Sequence, residues 1–182
     1  MIKVAIFGGS FDPPHCGHHA ISQSALDKLD IDKLIVVPTF LNPFKHSSLA
    51  TPQMRVEWCR LVFDRDDIEV SSYEINFNRA IFSSQTVKYF QNLYNVKYLI
   101  IGADNLPSIT KWNKFEWLNQ EIIWVVALRD GFNLDTSMLR EHIILDISIE
   151  VSSSKIKECN DLTYIDDKII IEVENIIQKG KI

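Results

Sequence analysis

"IKVAIFGGSFDPPHCGH", residues 2–18, passes from a mostly apolar run straight into a stretch with three glycines, two prolines and two histidines. The apolar residues of IKVAIF (2–7) run on without alternating, which predicts a strand buried on both faces. Gly8 and Gly9 then allow a sharp turn and let a ligand approach main-chain N–H groups with no Cβ in the way. Pro13 and Pro14 stiffen the loop that follows. A helix opening near Gly17 sets His15 and His18 near its first turn, where unpaired N–H groups and the helix dipole favour an anion. The reading is a strand, a glycine turn and a helix start built to hold phosphate.

The rest of the chain repeats the alternation of strand and helix. KLIVVP (33–38), IEVSS (68–72), KYLIIG (97–102), IIWVVAL (122–128) and HIILDIS (142–148) predict further strands. Between them lie helical spacings: Ile21, Ala25 and Leu29; Met54, Trp58, Leu61 and Val62; Val87, Phe90 and Tyr94. A final helix is expected from Asp166 to Gln178, with Ile169, Val173 and Ile177 on one face. The pattern predicts an α/β fold: a Rossmann-like, doubly wound parallel sheet of about five or six strands with right-handed crossovers. In such a sheet, ligands bind at the carboxyl ends of the strands, where the glycine-histidine stretch begins.

Composition sets the outer limits. With 182 residues, 46% of them hydrophobic, and no linker, repeat or low-complexity tract, a single domain spanning 1–182 is expected. A formal net charge of −5 argues against nucleic-acid binding by broad phosphate neutralisation, so an anion site must be local. Cys16, Cys59 and Cys159 are an odd number without C-x-x-C spacing, which suggests a reducing cytoplasm rather than a disulfide framework. The start lacks a secretory pattern and no stretch has the length of a membrane span, so no membrane partner is expected.

Other readings of the opening stretch fit less well. The G-x-G-x-x-G spacing of a dinucleotide fingerprint and the G-x-x-x-x-G-K-[ST] of a P-loop are both absent. A zinc site would have H-x-x-H instead of H-E-x-x-H, with only Cys16 nearby as a third ligand. The histidines could also simply cap or pack.

GGSFDPPHCGH (8–18) resembles the G-x-F-D-x-x-H-x-G-H signature of nucleotidyltransferases, and specifically of bacterial nicotinate-nucleotide adenylyltransferases. IIGADNLPSITKW (100–112) is similar to that family's G-x-D segment followed by tryptophan, and VSSSKIK (151–157) to its I-S-[ST]-[ST]-x-I-[RK] motif. The resemblance implies that the phosphate of nicotinate mononucleotide attacks the α-phosphorus of ATP, with Mg²⁺ bridging phosphates, to give the dinucleotide and pyrophosphate. It implies that His18 donates to the α-phosphate, that His15 holds the ATP phosphates, and that the backbone at Gly8, Gly9, Ser10 and Phe11 approaches the nucleotide. Gly102 and Asp104 would line the ribose pocket, although an aspartate there is also suited to capping a helix. Trp112 would stack on the pyridine ring or pack in the core. Ser152 and Ser153 would contact the triphosphate or merely cap a helix, and Lys157 would supply positive charge or stay solvated.

Three segments depart from the family pattern. PTFLNPFK replaces the common P-P-H-K, keeping Lys45 as a phosphate contact but putting Phe44 where a histidine is usual. FSSQT (82–86) puts Ser83 where a threonine would contact the pyridine substrate, and LRDG (128–131) keeps Arg129 but puts Asp130 in place of a proline. A pantetheine-phosphate adenylyltransferase would usually carry threonine at the position of His15 and lack the G-A-D-N…W segment. A cytidylyltransferase would show R-T-x-G before the late serines. A non-catalytic nucleotide sensor could retain the same pocket. The oligomeric state and the strictness of acid-versus-amide preference are not encoded in any of these motifs.

Overall fold

In the computed structural model, which describes residues 1–41, 48–128, 134–147, 153, 156 and 161–179, six strands form one sheet in the order β3-β2-β1-β4-β5-β6. The strands are β1 (Lys3–Gly9), β2 (Lys33–Pro38), β3 (Ile68–Val70), β4 (Asn95–Gly102), β5 (Ile123–Leu128) and β6 (His142–Asp146). Every neighbouring pair is parallel. This is the order of a doubly wound Rossmann-type sheet, whose direction of winding reverses between β1 and β4. The carboxyl ends of those two strands, at Gly9 and Gly102, therefore flank the crevice that such sheets use for ligands.

Alternate β1 residues serve opposite cores. Ala5 and Phe7 face the side covered by α1 (Cys16–Lys28), α2 (Pro52–Val62) and α5 (Ile170–Lys179). Val4 and Ile6 face α3 (Ser83–Gln91), a 3-10 helix over Ala103–Lys111 and α4 (Phe115–Glu121). Both faces being covered explains why the strands read as continuous apolar runs.

Several boundaries differ from the sequence expectation. β1 continues through Gly8 and Gly9, which pair with Val37 and Pro38 of β2, so the turn begins only after the glycines. β3 stops at Val70. In α2, Leu61 is 45% exposed while Arg55 is buried, so the face that packs is Arg55, Val56, Trp58, Cys59 and Val62. Tyr94 lies beyond the end of α3. The last helix begins at Ile170 rather than Asp166, yet Ile169, Val173 and Ile177 are all buried as the periodicity requires.

Candidate active site

The loop between β1 and α1 is fixed from three sides. Asp12, itself buried, accepts from the main-chain N–H groups of Leu49 (2.8 Å) and Ala50 (3.0 Å). Arg55 sends Nη1 to the carbonyls of Ser10 (2.6 Å) and Thr39 (2.7 Å), and Nη2 to that of Phe40 (2.8 Å). One guanidinium thus ties the turn after β1 to the turn after β2. Burial pulls the pKa of Arg55 down, and the Asp12 carboxylate opposes that fall. The hydroxyl of Ser153 donates to the carbonyl of Pro13 at 2.9 Å, joining the late serine segment to the same loop.

Phe11 has a left-handed backbone (φ 46°) and turns its ring inward, where it meets Phe7 edge-on with centroids 5.3 Å apart. A Cβ on Gly9 would come within 3.0 Å of that ring, so a side chain there would crowd Phe11. A Cβ on Gly8 would meet no protein atom within 4 Å and would project into open space. A Cβ on Gly102 would meet the carboxylate of Asp104, whose exposed side chain would have to swing aside.

His15 occupies the N-cap position of α1, and both histidines are buried, with ring centroids 3.8 Å apart. The main-chain N–H of His15 donates to Nδ1 of His18 at 3.2 Å. A ring that accepts at Nδ1 carries its proton on Nε2 when neutral, so this bond sets the tautomer in which Nε2 is a donor. Phe11 backs the His18 ring at 4.9 Å. Not every first-turn N–H of α1 remains for a ligand, because that of Cys16 donates to the carbonyl of Tyr164 at 2.9 Å.

These groups open on one cleft of about 370 Å³, a size suited to a small-molecule ligand. Gly8, Gly9, Ser10, Phe11, His15, His18, Ser83, Gly102, Asp104, Trp112 and Ser153 all line it. Lys45, Arg129, Ser152 and Lys157, with the departures Phe44 and Asp130, lie outside the described residues. Asp104 is exposed in the first turn of the 3-10 helix, whose N-cap is Gly102 and which has no side-chain capping bond, so Asp104 is not acting as the cap. Trp112 is half-buried: its ring meets Trp124 edge-on at 6.2 Å, and it also lines the cleft. Its indole N–H has no hydrogen-bond partner among the described residues.

Sequence reasoning missed Arg55, Asp12 and Glu74. Arg55 was detectable as a lone charge on the packing face of α2. Glu74, 4% exposed and part of the cleft wall, gave no motif signal of its own. Its carboxyl accepts from the Thr86 hydroxyl at 2.6 Å, and burial pushes its pKa up to about 7 against the opposing pull of that bond.

The sequence model of the cytidylyltransferase-like family matches residues 6–159. A Sulfurovum sp. protein named "Probable nicotinate-nucleotide adenylyltransferase" is 52% identical, over 98% of this chain and 96% of that one. An Aliarcobacter butzleri protein of the same name is 43% identical, over 99% of each chain. Among solved structures, Plasmodium falciparum nicotinic acid mononucleotide adenylyltransferase complexed with NaAD superposes with a TM-score of 0.75. At 20% identity, covering 100% of this chain and 97% of that one, it establishes the shared fold. The chain belongs to the cytidylyltransferase-like family and, within it, to the nicotinate-nucleotide adenylyltransferases.

Proposed function

We infer that this chain, acting as one domain, transfers the adenylyl group of ATP to nicotinate mononucleotide, forming nicotinate adenine dinucleotide and pyrophosphate. In the proposed reaction a phosphate oxygen of the mononucleotide attacks the α-phosphorus, and the bond from that phosphorus to the β-phosphate bridging oxygen breaks. The attacking phosphate is already ionised near neutrality, so the protein needs no nucleophile of its own. Positioning and charge stabilisation carry the catalysis.

The observation that carries this reading is the bond from His15 N–H to His18 Nδ1 at the glycine-lined end of the cleft. It supports His18 as a fixed Nε2 donor to the α-phosphoryl oxygens, where charge builds as the bond transfers. His15, beside it at the start of α1, is assigned to the polyphosphate, where the helix dipole also favours negative charge. Gly8 leaves room for the nucleotide backbone, and Asp104 is suited to accept from ribose hydroxyls. Ser83 and Trp112 are assigned to the pyridine end, Trp112 by stacking. On sequence pattern alone, Lys45, Arg129 and Lys157 would supply positive charge to substrate phosphates, with Ser152 beside Ser153 on the triphosphate.

Mg²⁺ is proposed to enter with the ATP substrate, where it would neutralise phosphate charge. This agrees with the donor chemistry of the loop, since both oxygens of Asp12 already accept main-chain N–H groups. Mg²⁺ commonly binds through substrate phosphates and water in this way. No helix among the described residues is long and apolar enough to cross a membrane. The cytoplasm, where ATP and mononucleotides are available, is the proposed compartment. No nucleic-acid partner is proposed.

A coupled assay with ATP, Mg²⁺ and each mononucleotide tests the assignment. Pyrophosphate and nicotinate adenine dinucleotide should appear together, with the acid preferred to the amide. Turnover of phosphopantetheine alone would transfer the chain to a different substrate, and ATP retention without pyrophosphate release would make it a nucleotide sensor.

A further inference from the structure

Glu74 is a buried carboxyl that the proposed reaction does not use. It follows β3, and Thr86, the residue it accepts from, lies three positions beyond Ser83 in the first turns of α3. Glu74 lines the cleft together with Ile81, Phe82 and Ser83, on the side where Ser83 is assigned to the pyridine end of the acceptor. One oxygen takes the Thr86 hydroxyl; the other has no hydrogen-bond partner among the described residues. Among the described residues, Tyr73 adjoins Glu74 in sequence, and Arg79 and Tyr89 of α3 act on that tyrosine, the Tyr89 ring stacking on it at 3.9 Å. Asp104, Lys111, His15 and His18 share the cleft lining. None of these forms an ion pair with Glu74, so among the described residues no fixed positive charge holds the carboxyl ionised.

We propose that Glu74 is a specificity-determining residue of the acceptor pocket, neutral when the anionic ring carboxylate of nicotinate mononucleotide is bound and ionised when the pocket is least selective against the amide. The inference rests on nicotinate mononucleotide being the acceptor. A neutral carboxyl accepts the Thr86 hydroxyl through its carbonyl oxygen and offers its own O–H to an incoming carboxylate. An ionised one repels that carboxylate in a poorly solvated pocket, while it can accept from the N–H₂ of an amide. The choice between acid and amide thereby becomes dependent on pH. Burial holds the titration of Glu74 at about 7, within the range where this dependence can be read.

The test is the ratio of kcat/KM for nicotinate mononucleotide to that for nicotinamide mononucleotide, measured with ATP and Mg²⁺ from pH 6 to 8. Both acceptors carry the same phosphate, so its titration cancels in the ratio. A single group titrating near 7 passes from about nine-tenths to about one-tenth protonated over that range, so the ratio should fall roughly tenfold. Glu74→Gln, which keeps an acceptor for Thr86 and a donor for the ligand, should remove the fall and raise the ratio at pH 8 roughly tenfold over wild type. Carboxyl ¹³C NMR of the unaltered protein gives a second readout: the acid mononucleotide should raise the pKa of Glu74 and the amide should not. A flat ratio in wild type, an undiminished fall in Glu74→Gln, or a pKa lowered or unmoved by the acid would overturn the inference while leaving the adenylyl transfer intact. Absence of turnover with either mononucleotide would instead overturn the reaction on which it rests.

Discussion

Arg55 of α2 donates to the carbonyl of Ser10 at 2.6 Å, across 45 residues of sequence. The same guanidinium holds Thr39 and Phe40, so the two turns that border the cleft share one buried cation. Replacing it would leave three carbonyls without their donor. Arg55→Leu should lower stability by about 3–5 kcal/mol, as expected when one side of a buried charged network is removed. Arg55→Lys should recover only part of this, because an ammonium cannot reproduce the planar fork. Urea denaturation checks both, and wild-type stability in Arg55→Leu would contradict this bracing role.

Gly8 and Gly9 are neighbours with opposite reasons for lacking a side chain. Gly9→Ala should cost about 1–3 kcal/mol of stability, the usual range for overpacking, because its methyl meets the Phe11 ring. Gly8→Ala should fold with nearly unchanged stability but weaken ATP binding roughly tenfold or more, the same crowding penalty falling on the ligand instead. Thermal melts paired with ATP titration distinguish the two. A Gly8→Ala protein that binds ATP normally would remove the backbone at Gly8 from the nucleotide site.

Trp112 lies between a packing role and a binding role. The edge-on contact with Trp124 predicts that Trp112→Ala loses some stability, while its place in the cleft predicts a larger effect on one substrate. The KM for the mononucleotide should rise by an amount equivalent to roughly 1–3 kcal/mol, the range for base-aromatic stacking. ATP affinity should change much less. Equal loss toward both substrates, accompanied by a lowered melting temperature, would assign Trp112 to packing alone.

Glu74 also makes stability depend on pH. Burial raises its carboxyl from the ordinary value of 4.5 to about 7 in the folded protein. Between those values the folded state holds a proton that the unfolded state has released, so this group's contribution to stability falls as pH rises from 4.5 to about 7. The full loss above that window is about 3 kcal/mol. Glu74→Gln should therefore be more stable than wild type at pH 8, with the gap closing toward pH 4.5. Melting temperatures across that range measure it, and a gap that widens toward acid would contradict the assigned direction.

The parts of the fold legible in the sequence were those in which one residue pattern meets one physical demand. Continuous apolar runs marked strands covered on both sides, and Ile169, Val173 and Ile177 marked a buried stripe although the helix itself starts one residue after the first of them. Gly8, His15, His18, Gly102 and Asp104 could be brought together in advance because a doubly wound sheet gathers the ends of β1 and β4 at one crevice. Arg55 and Glu74 escaped for the opposite reason. Each is a charged residue outside every motif, and its hydrogen-bond partners lie elsewhere along the chain: the carbonyls of Ser10, Thr39 and Phe40 for Arg55, and the Thr86 hydroxyl for Glu74. Spacing along one helix also overvalued Leu61, since periodicity identifies a stripe but not how wide the neighbouring sheet is.

The central claim is that His18 is a preorganised donor to the transferring phosphoryl group, and single-turnover kinetics of His18→Ala test it most directly. A donor that acts mainly as charge develops is worth more in the transition state than in the bound complex. With the fold intact and ATP affinity little changed, the rate of nicotinate adenine dinucleotide formation should fall roughly 100- to 1,000-fold, as on removal of one oxyanion donor. A correctly folded His18→Ala protein that forms product at nearly the wild-type rate would contradict it.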